Sequence, residues 1–434
     1  MALFGRSKPQ PSDSSPGSSS PLAEPTVPAP AGAPATERRA VDAHRENLLA
    51  AVSSLRPFGI GLLDAAGLTL CESIDSDIDL PVYTSASVAG WAVRGSNLVG
   101  ASPRHPVRLP VVGEIDAGGY RGSPLMPGTV VKVAGGAPVP EGADAVVPLE
   151  AAAEVGDEVE FTAEATFQQE LVLAGSRISD GDLLLGNGSV LDARAIGLLA
   201  EVGIDKVLAR PKPRVVVASL GAELVDPGLP LERLHQVYDT GTPLVAALAR
   251  ADGAQVFPIG ILPSDPSRLR RTITDQLPRA DLVLLVAGRD DDLIGVLGEL
   301  GTVDSGEVAM EPAGPAAFAV VGEDRTPVLV LPRGAAACYI SYQVFARPLV
   351  RRLAGVAPSD REVGSAQVTR PLATDPTVTT FVLARTSDRG VEPLNASDAQ
   401  TSLDLVAADT LIVVPPGTGE VGAHSDVTCW PLRG

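Results

Sequence analysis

The sequence is poor in the residues on which several classes of protein depend. Its three cysteines, Cys71, Cys338 and Cys429, are far apart and form no CxxC pair, and its four histidines are isolated. This pattern provides neither a disulfide framework nor a zinc site, and it is typical of a protein in a reducing cytoplasm. Aromatic residues make up only 3% of the chain. The cores must therefore be built mainly from Val, Leu, Ala and Ile.

Basic residues and long apolar runs are also scarce. The chain has 34 Lys and Arg against 53 Asp and Glu, a net charge of −19. Nucleic acid and anionic membrane surfaces both require clustered cations, so neither is expected as the main partner. No run approaches the roughly 18 apolar residues of a membrane span, and we therefore expect no membrane span and a cytoplasmic location.

Several catalytic signatures are missing from the sequence. Neither GxGxxG after a strand nor GxxxxGK[ST] occurs, which makes a nucleotide-binding enzyme of another class a weak alternative. The dispersed histidines also give no basis for a Ser/His/Asp or Cys/His arrangement.

At 434 residues the chain is too long for one core, and we expect three or four domains. Residues 1–35 are mainly Pro, Ser, Ala and Gly and are predicted to be a disordered tail. Within this tail, the segment MALFGRSK (1–8) combines two apolar residues with two cations. It is either a short docking motif or part of an untethered tail.

Residues 36–80 and 190–210 are predicted to form one helical domain, which is interrupted by a β insert at 81–189. Thr36 is expected to cap a first helix that carries Val41, Leu48, Val52 and Leu55 on one face, with His44 on the same stripe. Short alternating segments broken by Gly and Pro predict the insert, and others predict a small β-barrel domain at 360–434.

Residues 211–354 are predicted to form a doubly wound α/β domain. The run RVVVASLG from Arg214 reads as a strand buried on both faces, and alternating helix and strand patterns follow it. Ligands bind such sheets at the carboxyl ends of the strands, so the turns at 220–223, 288–292 and 332–337 are candidate functional positions. The acidic run 290–292 is either a cation site or the N-terminal cap of a helix, and we favour the cap.

Six strings occur in an order that points to one family: VVGEIDAG at 111, GGAPVPEGADAVV at 135, AIGLLAEVGI at 195, QVYD at 236, VAMEP at 308 and FARPLVRRLAG at 345. With the order of the domains, they resemble the molybdopterin molybdenumtransferases (MoeA) and the E domain of gephyrin, over residues 36–434. The resemblance implies a MogA-like α/β core, an elongated dimerisation domain at residues 36–80 and 190–210, and a homodimer with each site between one subunit's α/β domain and its partner's β domain. It also implies magnesium-dependent insertion of molybdate into adenylylated molybdopterin, with release of AMP.

The strings that face substrate in this family are altered. The pattern MKPGKP, which supplies two lysines, is here Met310 to Pro315, with Glu311 and Gly314 at the lysine positions. Ala89 stands where the family pattern has the acidic residue expected to act on the substrate, so no catalytic residue is assigned. The Gly-rich turn TSGGVSVGD is reduced to Gly288, and LPGNPVS has become a string that contains Arg333.

A few polar positions of the family pattern survive. The residues that the resemblance implies for substrate binding are Glu150, Glu223, Tyr238, Asp239 and Gly288, while Asp182 is retained without an assigned role. Glu223 and Asp239 are the implied magnesium ligands, if the activity is retained. As an alternative, both carboxylates only cap a helix or loop.

Two functions are therefore considered. In the first, the chain is a dimeric scaffold of molybdenum-cofactor biosynthesis that binds a protein or peptide partner after loss of its insertion site. In the second, it is still a functional molybdopterin molybdenumtransferase, with magnesium as cofactor and molybdate and adenylylated molybdopterin as substrates.

Overall fold

A computed structural model describes residues 38–118, 124–288, 291–356, 362–395 and 400–432. The predicted tail, its segment 1–8 and the predicted cap at Thr36 lie outside the described residues. Within the described ranges, no helix is long and apolar enough to cross a membrane.

The first elements are a helix and three short strands: α1 (Val41–Ala50), β1 (Phe58–Gly61), β2 (Thr69–Leu70) and β3 (Ile74–Asp75). Helix α1 packs against the α/β unit, because Val41, Leu48 and Val52 share a hydrophobic core with the helix that ends at Ala354. This differs from the prediction for residues 36–80. Helix α1 shares the core of the α/β unit, and the elongated unit begins only at β1.

The described part of the insert contains nine strands: β4 (Ser85–Ala86), β5 (Gly90–Val93), β6 (Val107–Ile115), β7 (Val130–Val133), β8 (Ala145–Pro148), β9 (Ala152–Val155), β10 (Glu158–Phe161), β11 (Leu171–Val172) and β12 (Leu183–Leu185). Six of them form a sheet in the order β8-β5-β7-β6-β10-β9, and β4 pairs with β11. Small and β-branched residues fill its core around Trp91 and Phe161, as the scarcity of aromatics requires.

The chain then returns to the elongated unit with α2 (Ala193–Glu201) and β13 (Lys206–Arg210). Asp192 caps α2 by accepting the backbone N–H groups of Arg194 and Ala195. Strand β13 lies between β1 and β2 in a three-stranded sheet. Residues from before and after the insert therefore form one core, which includes Leu70 and Leu199.

The α/β unit contains β14 (Arg214–Leu220), β15 (Leu224–Val225), β16 (Val237–Tyr238), α3 (Gly241–Ala251), β17 (Gln255–Leu262), α4 (Pro266–Gln276), β18 (Leu282–Ala287), α5 (Asp291–Leu300), β19 (Gly301–Glu307), β20 (Met310–Glu311), β21 (Pro315–Val321), β22 (Thr326–Pro332), α6 (Ala335–Ser341) and α7 (Arg347–Ala354). Its main sheet has the order β17-β14-β18-β22-β21-β19. Strands β17, β14, β18 and β22 are parallel, and β21 and β19 continue the sheet antiparallel.

Helices cover both faces of this sheet, which explains why β14 and β18 are almost continuously apolar and buried. Helix α5 begins at Asp291, so most of the predicted acidic cap at 290–292 coincides with the first residues of this helix. Residue 290 and the side chain of residue 291 lie outside the described part. Helices α6 and α7 are joined by a π-helical turn at Tyr342–Ala346 and form one helical run.

The last unit contains β23 (Gly364–Gln367), β24 (Leu372–Ala373), β25 (Thr379–Ser387), β26 (Gly390–Pro393), α8 (Ser402–Ala407), β27 (Thr410–Val414), β28 (Glu420–Val421) and β29 (Asp426–Pro431). Its sheet has the order β20-β25-β27-β29-β23, so that β20 extends from the α/β unit into it. The sequence pattern had not predicted α8, which is only six residues long.

Candidate functional site

The carboxyl ends of β14, β18 and β22 meet at a cavity of 240 Å³, which we call the first cavity. Its walls come from the turn after β14, from β16 and the start of α3, and from the turn before α6. Glu223, Tyr238, Asp239 and Arg333 line it, together with Ser219 and Cys338. Two of the three turns predicted to carry function, 220–223 and 332–337, therefore meet at this place. The third contributes Gly288, which contacts Arg333.

Asp239 is buried and its carboxylate is already bonded. One oxygen, Oδ1, accepts hydrogen bonds from Ser219 Oγ at 2.7 Å and from the backbone N–H groups of Gly241 at 3.0 Å and Thr242 at 3.1 Å. Only 3% of the residue is exposed. These contacts hold the first turn of α3 against the end of β14, which is the capping role considered for Asp239 from the sequence.

Arg333 forms an ion pair with Glu223 across the mouth of the cavity. Their side chains are 41% and 31% exposed, so water screens the pair on one side. The guanidinium also lies against Gly288, where an added Cβ would come within 2.4 Å of Arg333 Nη2. The absence of a side chain at Gly288 is thus explained by the close approach of Arg333. In the turn 332–337, this arginine stands where the family pattern has a glycine.

A second cavity of 540 Å³ lies beside the first and is bordered by the same arginine. Its lining is mainly apolar, with Leu293, Ile294, Val330 and Pro315 among the side chains, and it also includes Gly288 and Glu307. Because Arg333 lines both cavities, its side chain forms part of the wall between them.

Of the altered string at 310–315, Pro315 lines this second cavity, whereas Glu311 and Gly314 do not. Glu311 lies in β20, which pairs with β25 of the last unit, and it is half-buried. Gly314 packs close to the Glu307 carboxylate, 3.1 Å from where its Cβ would be. Ala313 has a left-handed backbone with φ of 76°, a conformation that favours the glycine of the family pattern at this position.

Ala89 and Glu150 lie beside a different sheet, that of the insert, Ala89 directly before β5 and Glu150 in a 3-10 turn directly after β8. The carbonyl of Ala89 accepts the N–H of Leu149 at 3.4 Å, so the two predicted positions are neighbours where β5 and β8 run side by side. Both residues are exposed. The sequence-derived set is thus divided within one chain into a pair on the insert and a group on the α/β unit. Asp182 belongs to neither group, since it accepts the N–H of Ser179 within a turn.

The carboxylates near the first cavity do not fit a magnesium site as they are arranged. Asp239 Oδ1 is used by three donors, and Glu223 is paired with Arg333. In the described ranges, no group of three or more His, Cys, Asp or Glu side chains is placed to hold a metal ion. The assignment of magnesium to Glu223 and Asp239 stays a prediction, and it requires Glu223 to leave Arg333.

Four residues for which the sequence predicted no role belong to the first cavity or to its hydrogen-bond network: Arg333, Ser219, Thr242 and Cys338. The sequence does single out Arg333. It directly precedes the turn Gly334–Ala337, which consists of small residues, and it is the only charged residue in or next to this turn. Ser219 and Thr242 resemble ordinary strand-end and helix-start residues. Burial and, to a lesser extent, the charge of Asp239 raise the pKa of the Cys338 thiol to about 12, so Cys338 is a neutral thiol at physiological pH.

Comparisons with known proteins match most of the chain. The family model for the MoeA N-terminal region (domain I and II) matches residues 39–203, and that for a probable molybdopterin binding domain matches residues 216–352. Two curated relatives come from Mycobacterium tuberculosis (strain ATCC 25618 / H37Rv). Molybdopterin molybdenumtransferase 1 is 30% identical over 88% of this chain and 96% of its own length, and molybdopterin molybdenumtransferase 2 is 30% identical over 91% and 100%.

Solved structures agree with these matches. The molybdopterin biosynthesis MoeA protein from Pyrococcus horikoshii superposes with a TM-score of 0.82 at 25% identity and covers 92% of this chain and 100% of its own. A second structure of a MoeA protein from that organism has a TM-score of 0.70 at 19% identity, over 91% and 100%, and shows the fold alone.

Proposed function

The chain belongs to the MoeA family of molybdenum-cofactor biosynthesis, and from this premise we propose that its molybdate-insertion site is closed and that it serves as a dimeric scaffold for a protein partner. The multidomain α/β fold with a MogA-like unit is that of the family. Loss of the insertion activity is what we propose in addition to this family membership. The observation that carries it is the position of Arg333 between Glu223 and Gly288.

Charge at the site supports this proposal. Molybdate is a dianion and the family's other substrate carries a pyrophosphate, so an active site needs cations and backbone amides to hold them. Glu311 and Gly314 stand where the resemblance implies lysines. At an effective dielectric of ~20, reversing one charge ~4 Å from an anion changes the interaction by several kcal/mol. Arg333 does not replace the lost cations, because Glu223 already neutralises it.

The insert supports the same conclusion independently. Ala89 carries a methyl group where the family pattern has an acid, and it cannot donate or accept a proton. Restoring charge at the α/β unit alone would therefore not restore turnover.

An exposed apolar rim favours an assembly larger than one chain. Leu229, Leu231, Leu234, Val237 and Tyr238 are each at least 43% exposed, and they follow one another within ten residues beside the first cavity. Apolar side chains concentrated in this way mark interaction surfaces. In the proposed homodimer, a second copy covers part of this rim.

The second candidate is a retained molybdopterin molybdenumtransferase. It is favoured by the comparisons, since two relatives with that name align over nearly their whole length. It is also favoured by the intact network of Ser219, Asp239 and Thr242. For this candidate, Arg333 must leave Glu223 when substrate binds.

A rescue experiment separates the two candidates. The chain is expressed in a bacterial strain whose own molybdenumtransferase gene has been deleted, and the activity of a molybdenum enzyme is measured. The M. tuberculosis relative, expressed at an equal level, is the positive control. We expect rescue by the relative and none by this chain, and restored activity with this chain would refute the scaffold proposal.

A further inference from the structure

A further cavity lies on the insert, and the proposed function makes no use of it. It measures 670 Å³ and shares no lining residue with the two cavities of the α/β unit. We call it the insert groove. Its apolar lining includes Tyr83, Pro138, Val139, Pro140, Phe167 and Leu171.

The loop at residues 166–170 holds an aromatic ring out over this groove. Phe167 is 72% exposed, although it is one of only eight phenylalanines in the chain. The next residue, Gln168, has φ of 61°, and Glu170 has φ of 52°, a left-handed backbone that non-glycine residues rarely adopt. Such strain concentrates at ligand-binding positions, where the surrounding structure must enforce it.

Hydrogen bonds to the neighbouring strands enforce this conformation. The N–H of Gln168 donates to the carbonyl of Asp144 at 2.8 Å, and the N–H of Val146 donates to the carbonyl of Gln169 at 2.9 Å. The loop is therefore fixed to β8, so the exposed position of Phe167 is built into the fold. Tyr83, which is 50% exposed, provides a second aromatic ring in the same groove.

The charged side chains that line the groove are acidic. They are Glu141, which is exposed, and Asp144, which accepts the N–H of Gly95 at 2.5 Å. Its described lining contains no Lys or Arg. The guanidinium of Arg94 lies next to Gly142, which lines the groove, and it donates to the carbonyl of Leu125 at 2.8 Å. The groove thus suits a short apolar segment that carries positive charge.

We propose that the insert groove binds the segment Met1–Lys8 of the same chain. This segment supplies Leu3 and Phe4 as apolar anchors for the two rings, and Arg6 and Lys8 as cations opposite Glu141. It contains no acidic residue, in a chain whose net charge is −19. Residues 9–37 separate it from the described fold and can span up to about 100 Å when extended, so the linker is long enough to reach the insert.

The test uses the full chain and a synthetic peptide of residues 1–10 that carries a fluorophore at its C-terminal end. In a Leu3→Asp, Phe4→Asp double variant the chain's own segment is disabled, and the groove becomes accessible to the peptide. Fluorescence anisotropy should show saturable binding to this variant, and at least tenfold weaker binding to the wild type, whose own segment competes.

Two further substitutions in the double-variant background locate the binding site. Phe167→Ala should weaken peptide binding at least tenfold. Phe58→Ala is the matched control, because Phe58 is also an exposed phenylalanine, at 54%, but lies on β1 outside the groove. It should leave binding unchanged. A peptide with Arg6→Glu and Lys8→Glu should bind several-fold more weakly at low salt.

The proposal is overturned if no variant binds the peptide, if wild type and double variant bind it equally, or if Phe167→Ala has no effect. A different result would be that the wild type competes with the labelled peptide only when the protein concentration is raised. That result would assign the groove to the segment of a second copy, and it would also overturn the proposal. None of these outcomes depends on whether the chain inserts molybdate, so the test is independent of the proposed function.

Discussion

At the scale of single residues, the two carboxylates of the first cavity should differ in their contribution to stability. Replacing Asp239 with Ala leaves the Ser219 hydroxyl and two backbone N–H groups near the end of β14 without their acceptor. Each buried donor left unsatisfied costs about 1–3 kcal/mol, and the Ser219 hydroxyl can still bond to Thr242 Oγ1, so for the two N–H groups we expect Asp239→Ala to lower the free energy of unfolding by about 2–6 kcal/mol. Urea denaturation followed by circular dichroism measures this.

Glu223→Ala is the matched control for that measurement. It removes the partner of Arg333 from a pair whose side chains are partly exposed to water, and such pairs contribute about 0–1 kcal/mol. A loss for Glu223→Ala equal to that of Asp239→Ala would contradict the distinction between a capping and a surface carboxylate.

The three cysteines are expected to react at different rates with a thiol reagent. Burial raises the pKa of the Cys338 thiol to about 12, and burial also raises the pKa of Cys429. Cys71 is half-buried. Because the thiolate is the reactive form, Ellman's reagent at pH 8 should modify Cys71 first and the other two only after unfolding. Rapid modification of all three in the folded protein would contradict this order.

At the scale of elements, helix α1 is attached to the α/β unit through a buried histidine. Arg39 donates to His44 Nδ1 at 3.0 Å and pairs with both oxygens of Asp304, at 2.5 and 2.8 Å. The His44 ring also lies edge-on to Phe345, with centroids 5.0 Å apart. Burial, reinforced by the charge of Arg39, lowers the pKa of His44 to about 4, while Asp304 opposes this effect.

This pKa predicts how stability changes with pH. The unfolded chain protonates His44 near pH 6.5 and the folded chain only near pH 4, so the folded state loses stability as the pH falls through this interval. At ~1.4 kcal/mol per pKa unit, the loss is up to about 3 kcal/mol. Unfolding free energies of wild type and His44→Gln, compared from pH 7 to 4, should diverge by this amount, with the wild type falling more steeply. Parallel curves would contradict the account.

The pattern of the sequence predicted the main elements well where local signals agree. Strands β14 and β18 are continuous apolar runs, and the caps of α2 and α4 are Asp192 and Asp265, each directly before its helix. The direction of β19 and β21 could not be predicted, because their burial alone does not distinguish a parallel strand from an antiparallel one. The packing of α1 depends on contacts with residues about 300 positions later, which periodicity does not reveal.

The sequence predicted where the candidate site lies in the sheet, but it did not predict which side chains contact one another there. The strand-end turns identified the place, since β14 and β22 are parallel neighbours of β18. The role of Arg333 depends on its reach to Glu223, 110 residues away, and on the absence of a side chain at Gly288. Neither relation leaves a periodic or local signal in the sequence.

At the scale of the whole molecule, the proposed homodimer gives a direct prediction of mass. One chain has a mass of 44.5 kDa, so light scattering coupled to size-exclusion chromatography should give about 89 kDa, twice that value. The exposed apolar rim at Leu229 to Tyr238 would then be partly covered. A mass of one chain at micromolar concentration would contradict the dimeric part of the proposal.

The central claim is that Arg333, Glu311 and Ala89 together leave the family's reaction without a usable site. The measurement that tests it most directly is AMP release by the purified chain, supplied with adenylylated molybdopterin, molybdate and magnesium, with the M. tuberculosis relative as positive control. We predict AMP release by the relative and no release above background by this chain. Molybdate-dependent release at a rate comparable to that of the relative would contradict the account.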